Sequence, residues 1–168
     1  MGERKKTTKK PSSVSALPHT QSKGSAAAGN IVKFPPHLVF RKELSLLVWK
    51  PHGILNEAIV NEIVAFIETA ERRALKPFNR FTDLSAPALD AVDLNFKFVF
   101  QVALFRRISA GPKPAVKSAF YVTSPAASHY AKLHAMLTDY SPLDVSVHTD
   151  LAAAAEWLDV PVEALTVP

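Results

Sequence analysis

The sequence predicts an α/β domain: a small mixed, mostly parallel sheet of four to five strands with about four helices, in the order ββαβαβαβα. Three observations predict it. Short runs rich in β-branched and aromatic residues alternate with longer stretches whose apolar residues recur at helical spacing. Capping and breaking residues stand where one pattern gives way to the other. One hairpin precedes the alternation, so the strands joined through helices run parallel, by right-handed crossovers, beside a single antiparallel pair.

Leu38-Val39-Phe40 and Leu44-Ser45-Leu46-Leu47-Val48-Trp49 read as the hairpin, turned by the charged Arg41-Lys42-Glu43. Pro51-His52-Gly53 breaks the second strand. Asn56 is a plausible N-cap, with Glu57 in the first turn of a helix over 56–75. Ile59, Ile63, Phe66, Ile67 and Ala70 form its apolar stripe and Pro77 marks its end. Arg80–Leu84 reads as a third strand, 85–92 as a loop, and Asp93 as a candidate cap for a second helix over 94–108, stopped by Gly111-Pro112-Lys113-Pro114. Residues 115–123 form a buried fourth strand. Ser124-Pro125, a cap followed by proline at the first helical position, opens a third helix to about Asp139. Asp144–His148 alternates as a fifth strand, and Thr149 or Asp150 caps a last helix from Leu151 to Leu158.

Charge divides the 168 residues in two. Residues 1–30 hold six Lys/Arg against the single acid Glu3, and the rest of the chain balances fourteen against fourteen, so the whole net charge of +5 lies in the tail. That tail is expected to be disordered, because Val14 and Leu17 are its only large apolar residues and cannot offset its ordering entropy. Arg4-Lys5-Lys6-Thr7-Thr8-Lys9-Lys10 reads either as a solubilising segment or as a loose contact with nucleic acid or anionic lipid. A neutral domain, 31–168, argues against nucleic-acid recognition beyond such weak contact. No apolar run is long enough to span a membrane, and the basic start is not followed by an export signal's apolar region. With no cysteine there are no disulfides, thiol nucleophiles or thiolate metal sites, which fits a cytoplasmic protein.

Several chemistries are excluded by pattern. Three of the five glycines lie in the tail and Gly53 and Gly111 are isolated, so neither a P-loop nor a dinucleotide fingerprint exists. There is no G-x-S-x-G elbow and no HExxH. His129 and His134, five apart on a helix, point in different directions; His52 and His148 stand alone. The expectation is therefore no enzyme, no cofactor and no resident metal.

Two short features carry a family resemblance over roughly 37–160: Phe81-Thr82-Asp83-Leu84-Ser85, a strand ending in Asp-Leu-Ser, and Ala152-Ala153-Ala154-Ala155-Glu156-Trp157-Leu158, an A-x-x-W-L helix. With the element order they resemble the STAS-like group, the SpoIIAA-like relatives of bacterial anti-sigma-factor antagonists. The resemblance implies a module that acts by protein–protein contact. In the antagonists a serine opening the second helix is phosphorylated. Here that helix opens Asp93-Leu94-Asn95-Phe96, and the nearest hydroxyl, Ser85, lies upstream, so the phosphoswitch is not carried over. Other members of the superfamily, and the similar CRAL-TRIO domains, bind lipids or nucleotides, which keeps ligand binding, of a small apolar lipid or metabolite, as an alternative.

The candidate partner or ligand surface is Asp83, Ser85, Asp93, Phe96, Phe98, Phe100 and Phe105. Asp83 stands at the carboxyl end of a parallel strand, where open α/β sheets place ligands. With Asp90 and Asp93 it could hold a hard cation, against the simpler reading of a cap and a loop residue. The second helix has too wide an apolar arc for one sheet: Phe96, Phe100, Leu104 and Ile108 form one row, with Phe98, Val102 and Phe105 to its side. Plain core, a homodimer or protein-partner surface, and the wall of a ligand cavity all account for it. Arg106 and Arg107 at its end complement the helix dipole. The expected function is regulatory or scaffolding protein binding, self-association included.

Overall fold

A computed structural model describes residues 35–166 except 75–76, 87, 111–114 and 140. The basic tail and the Gly111–Pro114 stop lie outside the described residues.

The elements run β1 (Leu38–Arg41), β2 (Leu46–Trp49), β3 (Gly53–Asn56), α1 (Glu57–Ala74), β4 (Asn79–Leu84), β5 (Leu89–Asp93), α2 (Phe96–Ala110), β6 (Val116–Val122), α3 (Pro125–Thr138), β7 (Leu143–His148) and α4 (Leu151–Leu158), followed by a 3-10 turn, Val162–Leu165. The main sheet has the order β1-β2-β4-β6-β7, and only β1 is antiparallel to its neighbour. This is the mixed, mostly parallel α/β sheet that the alternation of strand and helix dictates.

Stepping in one direction from β2 to β7 by crossovers of one hand puts α1, α2 and α3 on the same side of the sheet. The two faces follow the period of two. On β2, Leu47 and Trp49 join a core with Ile63, Phe66 and Ile67 of α1 and Ala127 and Ala131 of α3. Leu46 and Val48 turn the other way, into a core with Phe81, Ala119, Ala154, Ala155, Leu158 and Leu165. The second face is thus closed by α4 and the 3-10 turn. Small alanines on α4 let it lie close to the strands.

The helix starts are local chemistry. The Asn56 Oδ1 accepts from the Ile59 N–H at 3.1 Å, Ser124 Oγ from the Ala127 N–H at 3.2 Å, and Asp150 Oδ1 from the Ala152 N–H at 2.9 Å. Each satisfies a donor that the first turn leaves without an intrahelical partner. Asp159 ends α4 at φ 59°, its N–H directed at the carbonyls of Ala155 and Glu156.

Three details differ from the sequence reading. The stretch 85–92 is not all loop: β5 pairs in parallel with β3 to make a separate two-stranded sheet. Gly53, at φ +75°, makes the entry to β3 possible, a region that costs a side chain energy and glycine nothing. Leu44 and Ser45 belong to the hairpin turn, with Ser45 at φ 47°, so β2 begins at Leu46. Finally, Asp93 ends β5 instead of capping α2. Asn95 caps it, its Oδ1 accepting from the Phe98 N–H at 2.8 Å.

Candidate functional site

The second helix carries its apolar residues on two sides, one buried and one open. Phe98, Val99 and Ala103 are buried, while Phe96 (61% exposed), Phe100 (43%), Leu104 (43%), Phe105 (46%) and Ile108 (73%) lie open. Residues four apart stack along one side of a helix, so Phe96, Phe100, Leu104 and Ile108 make a continuous outer row about 18 Å long. The Phe96 and Phe100 rings stack with centroids 6.3 Å apart. The helix is anchored at its N-terminal end. Asn95 Nδ2 donates to the Glu57 carboxylate at the start of α1, and the Tyr130 hydroxyl of α3 donates to the Leu94 carbonyl.

Of the predicted surface residues, Phe96 and Phe100 lie on this row and Phe105 is exposed to one side of it; Phe98 points inward. Asp93 is exposed on β5. Asp83 and Ser85 are buried and satisfy each other: Asp83 Oδ1 accepts from the Ser85 N–H at 2.9 Å and from its hydroxyl at 2.5 Å, and Oδ2 pairs with Lys50 Nζ at 2.9 Å. That bonding closes the carboxyl end of β4 as a turn. Among the described residues no group of three or more His, Asp or Glu is placed to hold a metal ion, so Asp83, Asp90 and Asp93 do not assemble one. His52 stacks on His37 at 3.8 Å, and His148 leans on Trp157 at 5.9 Å.

Beneath the inner side of α2 lies a cavity of about 130 Å³ between the sheet and α1, α2 and α3. Ile63 and Ile67 of α1, Phe98 and Val102 of α2, and Phe120 of β6 make much of its wall. One part is polar: Arg80, Thr82, Ser118, Arg106 and His134 also line it. Arg80 is 8% exposed and its guanidinium is paired with Glu71. Burial pushes its pKa down, and Glu71 opposes that. Burial, then the neighbouring Arg80, lowers Arg106 to about 10, partly offset by Glu71 and Glu68. His134 is held near 4, first by burial and then by Arg106 and Arg80, and is therefore a neutral imidazole at pH 7.

Sequence reasoning missed this corner, and it assigned Arg106 to the helix dipole. Arg106 instead follows Phe98 and Val102 at steps of four, and that spacing turns it inward. The side chain of Arg107 lies outside the described residues. Arg80 alternates with Thr82 and Leu84 on the α1 side of β4, so strand period was the available signal.

No helix among the described residues is long and apolar enough to cross a membrane. No protein-family model, curated protein or solved structure matches this chain.

Proposed function

We propose that the chain is a non-catalytic regulatory or scaffolding module that acts by protein–protein contact through the outer face of α2, with α2 of a second copy as the occupant. The observation that carries this reading is the open row Phe96, Phe100, Leu104 and Ile108. A soluble monomer rarely leaves so continuous an apolar strip in water. Rows of residues four apart are also the ridges that interlock when two helices cross. A two-fold axis through the middle of α2 would set the row against itself, so a single surface suffices for both protomers. Support also comes from the STAS-like resemblance in element order and in the Asp-Leu-Ser and A-x-x-W-L segments, a group whose members act by protein contact.

The test is light scattering on the full chain across a concentration series, beside Phe100→Glu. The wild type is expected to dimerise with a Kd of about 10 μM or tighter, about 7 kcal/mol of association. Phe100→Glu is expected to remain monomeric with unchanged circular dichroism. A wild type that stays monomeric throughout the series, or a variant that dimerises equally well, overturns the reading.

A further inference from the structure

The inner side of α2 carries a second inference, independent of the outer face. We propose that the cavity between the sheet and α1, α2 and α3 binds a small carboxylate with an apolar body, its carboxylate received by Arg106 and Arg80. Three observations lead there.

The first is size. About 130 Å³ is close to the roughly 150 Å³ of apolar cavities that admit a benzene-sized molecule. The apolar wall, with Ile63, Phe98 and Phe120 in it, suits a ring or a short branched chain.

The second is sign. Among the described residues the lining holds Arg80, Arg106 and His134 and no Asp or Glu. Two carboxylates lie behind the corner, Glu71 and Glu68, and they offset it only in part. Glu71 pairs with Arg80, while among the described residues Arg106 forms no ion pair. Glu68 Oε1 is itself buried without a hydrogen-bond partner, so the obvious Glu68–Arg106 pair is not made. His134, whose pKa burial lowers most, is lowered further by Arg106 and Arg80, which agrees with that sign.

The third is an unmet donor. Arg80, although more than nine-tenths buried, has an Nε–H without a hydrogen-bond partner. Buried donors are nearly always satisfied, and one left over at a cavity wall calls for an acceptor there. A carboxylate accepts from guanidinium N–H groups and has lone pairs to spare for the Ser118 and Thr82 hydroxyls. Neutral His134 adds one donor or acceptor as its tautomer requires.

The test uses benzoate and its uncharged near-isostere nitrobenzene, titrated into the full chain and followed by calorimetry and by NMR shifts of cavity methyl groups. Benzoate is expected to bind at least about tenfold more tightly than nitrobenzene, as a charge-assisted hydrogen bond implies. Arg106→Gln should remove that advantage and leave nitrobenzene within about twofold. Val102→Trp, which fills the space, should abolish both. Should Arg106→Gln fail to fold, the comparison of the two probes on the wild type still decides. Equal binding of both probes makes this a simple apolar void and overturns the proposal. So does binding of neither, or benzoate binding that survives Val102→Trp.

Discussion

His134 ties stability to pH in a direction that can be worked out beforehand. Its ring meets Phe120 edge-on at 5.7 Å and lines the cavity with Arg80 and Arg106. In the folded protein the imidazole titrates near 4; in the unfolded chain it should titrate at its ordinary 6.5. As pH falls, the unfolded chain therefore takes up the proton first, and unfolding becomes easier. The contribution is fully present above pH 6.5 and is lost between 6.5 and 4. At about 1.36 kcal/mol per pH unit that interval is worth about 3 kcal/mol. The assay is urea unfolding at pH 7.5 and at pH 4 for wild type and His134→Phe, which retains an aromatic ring against Phe120. The carboxylates, and His148, whose pKa burial also lowers, titrate in both proteins and cancel in the difference. Wild type should lose about 3 kcal/mol more than the variant over this range. Profiles that run parallel to within about 0.5 kcal/mol would show that the imidazole is not held neutral by its surroundings, and the description of the cavity corner would fall with it.

The two sides of α2 predict opposite outcomes for one chemical change. Phe98→Glu places a charge where the ring is buried and should cost about 4 kcal/mol or more, whereas Phe100→Glu, on the open row, should stay within about 0.5 kcal/mol of wild type in denaturant melts at dilute protein. Similar costs for both would mean that the helix is rotated from the orientation described. Arg80→Met takes a guanidinium partner from the nearly buried Glu71 carboxylate and should destabilise the fold by about 2 kcal/mol, read from the urea midpoint at pH 7. A loss below about 1 kcal/mol would show that the pair contributes little.

The parts of the fold that were legible in the sequence are those fixed by neighbours in the chain. Asn56, Ser124 and Asp150 could be recognised as caps because each acts on an N–H two or three residues away. The strand at 46–49 could be read as a short apolar run, because a strand covered on both faces needs apolar residues in succession. The pair β3 and β5 could not be foreseen. Each is four or five residues long, they lie more than thirty positions apart, and their register shifts between Gly53 and Ile54. Nothing in Gly53-Ile54-Leu55-Asn56 alone distinguishes a strand from the approach to a helix, and it is the partner that decides.

The site was half legible for a related reason. An amphipathic helix announces one buried stripe by contrast with a polar opposite side. Along α2 that contrast is missing, because Phe98, Val99, Val102 and Ala103 face the cavity and core while Phe96, Phe100, Leu104 and Ile108 face water. The sequence shows a surplus of apolar residues and leaves open which of them are surplus. Position relative to Arg106 supplies the missing reference: the arginine lies in line with Phe98 and Val102, and with it in the cavity wall the opposite row has no core left to enter. A helix that merely completed the fold would need only the first row. The second row exposes four large apolar side chains to water at a cost of about 1.5–3 kcal/mol for each that could otherwise be buried, and a surface that covers them is the simplest physical reason for the chain to keep them.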